Sequence, residues 1–181
     1  MKNRYQLTVA GVQRELPIIA ISDELSIASF VILGDTELIC AAAPLLAEKL
    51  PEVDVIVTAE AKGIPLVFEL SRILGMTRYF VARKSVKAYM NDPVVDEVNS
   101  ITTSGSQLLC LEKSDADAIK GRRVAIVDDV ISTGESLAAI ERLVTAVGGE
   151  VVARAAILAE GDAAKRDDII YLEPLPLFPK G

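Results

Sequence analysis

Short apolar runs alternate along this chain with segments that carry a helical period. Val53–Val57, Tyr79–Ala82, Val124–Val127 and Val151–Leu158 are rich in β-branched and other apolar residues and largely lack the polar alternation of a half-exposed strand. Strands buried on both faces need that composition. Asp35 is placed to cap a helix with Glu37 in its first turn and Leu38, Ala42, Leu45 and Leu46 on one face, running to about Lys49. Gly63 and Pro65 open a second helix carrying Leu66, Leu70, Ile73 and Leu74, and Gly75 stops it. A third presents Leu137, Ile140, Leu143, Val144 and Val147 and ends at Gly148. Strands and helices alternating in this way build βαβ units. The expectation is one α/β domain over residues 1–181, with a mostly parallel sheet and helices on both of its faces.

Three segments fall outside this pattern. Residues 1–34 hold three short strands, Tyr5–Val9, Leu16–Ile21 and Ile27–Leu33, with a break at Gly11. Residues 84–107 show no helical period and surround polar residues with β-branched pairs, which predicts a flexible flap followed by a hairpin. After a strand at Ile169–Leu172, residues 173–181 contain too many prolines for anything except an extended tail.

Composition removes whole classes of chemistry. The chain has no histidine, so neither a Ser-His-Asp triad nor an HExxH metal helix is available. Cys40 and Cys110 stand far apart, each in an apolar run, which fits two buried, reduced thiols better than a disulfide or a zinc site. No apolar stretch approaches the roughly 20 residues of a membrane span, and the N-terminal segment has no apolar signal core. A cytoplasmic protein without membrane contact is expected. With 19 Lys plus Arg against 26 Asp plus Glu, the net charge is −7. A nucleic-acid surface would need a broad basic face, so none is expected.

Ligands of open parallel sheets sit beyond the carboxyl ends of the strands. Of the three junctions there, the one after Val124–Val127 says most. Asp128 and Asp129 are consecutive acids at the end of an apolar strand, where burial penalises them unless they have a task. They can accept hydrogen bonds from a vicinal diol or hold hydrated Mg²⁺. Ser132, Thr133, Gly134 and Ser136 then form a hydroxyl-rich turn at a helix start, where free N–H groups and the helix dipole favour a phosphate. A capping role for Ser132 or Thr133 leaves the two acids unexplained. A diol reader beside a phosphate cradle describes a site for a ribose 5-phosphate.

The stretch DDVISTGES resembles the phosphoribosyl pyrophosphate (PRPP) signature of the type I phosphoribosyltransferases. That resemblance implies ribose and Mg²⁺ contacts from Asp128 and Asp129, and a 5-phosphate wrapped by Ser132, Thr133, Gly134, Glu135 and Ser136. Glu60-Ala61-Lys62-Gly63 resembles the family's pyrophosphate loop, often built around a cis peptide, with Lys62 where adenine-type members usually carry Arg. Arg83 and Lys84 resemble the basic pair at the base of a catalytic flap. The resemblance further implies PRPP and a nucleobase as partners, Mg²⁺ as cofactor, a homodimer, and a hood from the N-terminal strands over the base, with Ile32 and Val130 as its apolar walls. Glu97 on the flap is the candidate acid for the base nitrogen.

Charge placement agrees with an anion site. Between Leu70 and Asn91 there are five cations and no acid. Arg72 and Arg78 read as solvated ends of secondary structure, leaving Arg83, Lys84 and Lys87 for catalysis. The uncharged Ser132 stands where enzymes for hypoxanthine or guanine place Asp, so the resemblance is nearest to the adenine type, while Glu135 and the flap sequence depart from that type. The expected activity is purine salvage, with adenine favoured. The alternatives are a transferase for another base and a non-catalytic PRPP-binding regulator on the same fold.

Overall fold

Burial on both faces turns the apolar runs into the middle of a parallel sheet. The structure is a computed structural model, and it describes residues 4–98 and 107–180. Five parallel strands pair in the order β10 (Ile170–Leu175), β9 (Glu150–Glu160), β8 (Arg123–Ile131), β4 (Val55–Ala59) and β5 (Phe80–Ala82). Alternate residues of the strands face opposite layers. Ile56, Ala125, Val127, Ala155 and Ile157 pack with α1 (Thr36–Lys49) and α2 (Ile64–Ile73). Val55, Val57, Val124, Ile126 and Ala156 pack with α4 (Glu135–Ala146) and with Ile119 of the short α3 (Lys113–Ile119).

Helix α1 starts where the cap chemistry places it, with Leu38 N donating to Asp35 Oδ1 over 3.1 Å. The same carboxylate takes two hydrogen bonds from Arg14, at 2.8 and 2.9 Å, and so ties the N-terminal strands to the first helix. Those strands, β1 (Arg4–Val9), β2 (Val12–Ala20) and β3 (Leu25–Ala28), form an antiparallel sheet on the α1/α2 side of the core.

Three features differ from the sequence-based expectation. The third strand stops at Ala28, and residues 29–33 leave the sheet after Ser29 N donates to Pro17 O. The proline-rich tail is extended but not free. It forms β11 (Leu177–Pro179), which pairs antiparallel with β3 as an edge strand, the one sheet position proline tolerates well. Helix α3 was not anticipated, because only Ala116 and Ile119 of its seven residues are buried and no apolar stripe marks it. The hairpin does form, from β6 (Val94–Val98) and β7 (Gln107–Leu111), so that its second strand begins at the end of the expected segment. Arg83 and Cys110 exchange backbone hydrogen bonds of 2.8 and 2.9 Å, docking the hairpin against the end of β5. Cys110 is buried as expected, whereas Cys40 is exposed, because it falls outside the buried stripe of α1.

Strand order reverses beside β4. From β4 the chain winds outward to β5, whereas from β8 it winds the other way to β9 and β10. The loops leaving β4 and β8 therefore part toward opposite faces and open a crevice between them.

Candidate active site

Two strand ends and the N-terminal sheet enclose a cavity of about 400 Å³ in this crevice. Its floor is the end of β8. Asp129 is almost wholly buried, and its Oδ2 accepts no hydrogen bond among the described residues, although Lys62 Nζ lies 3.2 Å away as an ion-pair partner. Asp128 accepts a 2.8 Å hydrogen bond from Asp129 N. Burial first, and the neighbouring Asp129 charge second, push the Asp128 carboxyl up to about 7. The buried Asp129 Oδ2, without a hydrogen-bond donor, and the neighbouring Asp128 carboxylate form an oxygen donor set that suits a hard ion such as Mg²⁺, which is bound by one or two carboxylates together with substrate oxygens.

At the far end of β8 the chain turns through Ser132 and Thr133 into Gly134. Gly134 has φ +84°, in the left-handed region, and a Cβ there would stand 2.7 Å from Arg166 Nη1. The backbone conformation is what favours glycine here, since the arginine tip could move aside. Helix α4 follows with no side-chain cap from Gly134 and only a long 3.4 Å hydrogen bond from Glu135 N to Thr133 Oγ1, which leaves further leading N–H groups for an anion. Ser132, Thr133, Gly134 and Ser136 line the cavity. Glu135 is exposed and does not.

Across the crevice, β4 delivers Glu60, Ala61 and Lys62 to the wall, with a cis peptide between Glu60 and Ala61. Gly63 lies beneath it, where a Cβ would overlap the Thr58 hydroxyl and approach Asp128 Oδ1 to 3.4 Å. The Glu60 carboxylate is committed within the protein. It accepts from Lys84 N at 3.0 Å and from Arg83 Nε at 3.1 Å, and the first of these holds its carboxyl below the usual range. Arg83 Nη1 in turn donates to Tyr89 OH over 2.7 Å. Glu60 thus braces the flap base instead of presenting a free acid to substrate, an arrangement that spacing alone does not reveal.

Of the remaining candidates, Lys84 and Val130 line the cavity. Lys87 places its ammonium on Ser85 Oγ, outside the wall. Glu97 lies on β6, and its side chain is outside the described residues. Ile32 is fully buried in the core, and Phe30 and Val31 line the cavity in its stead. That stretch follows no strand period once it leaves β3, so alternation gives no guide to which side chain turns inward. Sequence reasoning also missed Leu175 and Glu160, which reach the cavity because β9 and β10 run further than their apolar cores.

With an acidic pair and a hydroxyl-rich turn at a helix start lining one crevice, the fold is that of an α/β enzyme built to hold a phosphorylated sugar. The family model of the phosphoribosyl transferase domain matches residues 35–175, and the chain belongs to that family. An adenine phosphoribosyltransferase of Clostridium botulinum (strain Alaska E43 / Type E3) is 33% identical over 141 residues, covering 76% of this chain and 78% of the relative. A hypoxanthine/guanine phosphoribosyltransferase of Methanotorris igneus is 34% identical over 113 residues, covering 62% and 57%. Among solved structures, the adenine phosphoribosyltransferase of Rhodothermus marinus superposes with a TM-score of 0.66 at 25% identity, covering 96% of this chain and 94% of that one. The chain is a phosphoribosyltransferase of the purine-salvage group.

Proposed function

We propose that the protein joins adenine to PRPP, giving adenosine monophosphate and pyrophosphate, with Mg²⁺ bound alongside PRPP. The observation that carries this reading is the crevice itself, where the Asp128–Asp129 pair, the Ser132–Ser136 turn and Lys62 converge from two oppositely wound halves of the sheet. In the reaction the C1–oxygen bond to pyrophosphate breaks as the bond from C1 to the base nitrogen forms, and the base gives up its N–H proton. C1 passes through an oxocarbenium-like state, so positioning and charge stabilisation supply most of the catalysis. Asp128 and Asp129 would hold the ribose hydroxyls, and bound Mg²⁺ would neutralise the leaving pyrophosphate. Lys62 and Lys84 would take up the departing negative charge, with Arg83 positioned beside them by Glu60. Glu97 would be the acidic residue at the base nitrogen, its carboxylate taking up the N–H proton that the base gives up.

The uncharged Ser132 supports adenine over 6-oxopurines. A homodimer is supported by the exposed Phe68 on α2 and Leu74 just beyond its end, and by β5 standing at the edge of the parallel sheet. A cytoplasmic setting is supported by two unpaired cysteines, and among the described residues no helix is long and apolar enough to cross a membrane. Incubation with PRPP, Mg²⁺ and each common base in turn tests the reading. Adenine is expected to give nucleotide fastest, and tight PRPP binding without nucleotide from any base would replace the enzyme by a sensor.

A further inference from the structure

Glu160 is the one acid of the cavity wall to which the proposed reaction gives no task. It ends β9, where the parallel register sets it against Leu175 of β10, and both residues line the cavity. The next residue, Gly161, packs against Leu177 of β11, which pairs with Ile27 of β3. This end of β9 is therefore bound to the N-terminal sheet through Leu177 and Ile27, and Phe30, Val31 and Leu175 line the same cavity. A flat heterocycle needs such apolar walls for its faces and a few polar groups for its rim.

The Glu160 carboxylate is half-buried and has no hydrogen-bond or ion-pair partner among the described residues. Lys62, the cation nearest in charge influence, is already 3.2 Å from Asp129. A buried carboxylate left without donors is costly, and a ligand that supplies an N–H removes the cost. Resting on the reading that a purine enters this cavity, we infer that Glu160 is a specificity-determining residue that accepts a hydrogen bond from an exocyclic amino group of the base. Burial already pushes its carboxyl above the ordinary range, against the opposing pull of Lys62, as expected of a site awaiting a donor. A base without an amino group leaves the carboxylate unpaired, and a bare carbonyl oxygen on that edge would repel it.

The test uses the full chain and pairs of purines that differ by one amino group: adenine against unsubstituted purine, and guanine against hypoxanthine. For whichever pair is accepted, wild type is expected to favour the amino member in kcat/KM by about tenfold to a hundredfold. Glu160→Gln, which keeps an acceptor oxygen, should retain most of that ratio. Glu160→Leu should bring it to within about threefold, with the KM for PRPP changed less than about twofold. An unaltered ratio in Glu160→Leu overturns the inference, as does an effect confined to PRPP or pyrophosphate, which would make Glu160 a partner of Lys62. Should that variant fail to fold, calorimetry on wild type decides, because adenosine monophosphate must then bind at least about tenfold more tightly than purine riboside monophosphate. Nucleotide formed without amino-group preference defeats this inference alone, whereas no nucleotide from any base defeats the transferase reading and this inference with it.

Discussion

Lys62 Nζ stands 3.2 Å from Asp129 Oδ2 across the crevice, joining the loop that leaves β4 to the end of β8. Because the acid is buried and the lysine half-exposed, the pair is unequal. Losing Lys62 strands a buried charge, while losing Asp129 merely returns a lysine to water.

Lys62→Ala is therefore expected to destabilise the ligand-free protein by roughly 1–2 kcal/mol, discounted from the value for a fully buried pair. In the proposed reaction it should also slow turnover more than it weakens PRPP binding. Denaturant unfolding and steady-state kinetics measure the two effects, and equal losses in binding and turnover would remove the leaving-group role.

Replacing both floor acids, Asp128→Asn with Asp129→Asn, should abolish most Mg·PRPP affinity, since hydrogen bonds to charged groups contribute roughly 1.5–3 kcal/mol each. Calorimetric titration of the folded double variant checks this. Retained affinity would mean that the ribose is read elsewhere.

The bracing of the flap base predicts a kinetic signature. Glu60→Gln should loosen Arg83 and the Lys84 backbone together and lower kcat by about tenfold, through positioning and not through lost substrate contact. Arg83→Ala should act in the same direction, and the double variant should be little worse than the more damaging single one. Additive losses would show that Glu60 and Arg83 act independently.

Acidity around β8 gives a stability profile of defined sign. The Asp128 carboxyl is raised from 3.8 to about 7, so between those values the folded protein retains a proton that the unfolded chain has released. Stability of the ligand-free protein should then fall as pH rises from about 5 to about 7.5, by roughly 1–4 kcal/mol. Asp35 and Glu60, whose carboxyls are held low, are ionised throughout that window and lose their contribution only in more acidic solution. Asp128→Asn should flatten the slope, and chemical denaturation at the two pH values is the measurement.

Some of this was legible because burial leaves sequence little choice. Two acids at the end of Val124–Val127 had no apolar explanation, and β8 indeed delivers both to the cavity floor. The Asp35 cap was readable from one local hydrogen bond to Leu38. What escaped depends on distant partners. β9 extends to Glu160 because β10 pairs with it as far as Leu175, which no local pattern announces. Phe30 and Val31 replace Ile32 at the cavity because the chain is irregular there. The Glu60 brace joins residues more than 20 positions apart, through a backbone N–H that carries no sequence signature.

The pairing of β11 with β3 orders events in time. Leu177 meets Ile27 and Pro179 meets Leu25, so the N-terminal sheet has its fourth strand only after the chain has been made through Pro179. During synthesis β1, β2 and β3 emerge early and must wait with one edge of β3 unpaired while the whole parallel core is assembled. The cavity wall that Leu175 and Phe30 share is therefore completed only when β10 and β11 have joined the earlier strands, after the β8 floor has its neighbours on both sides.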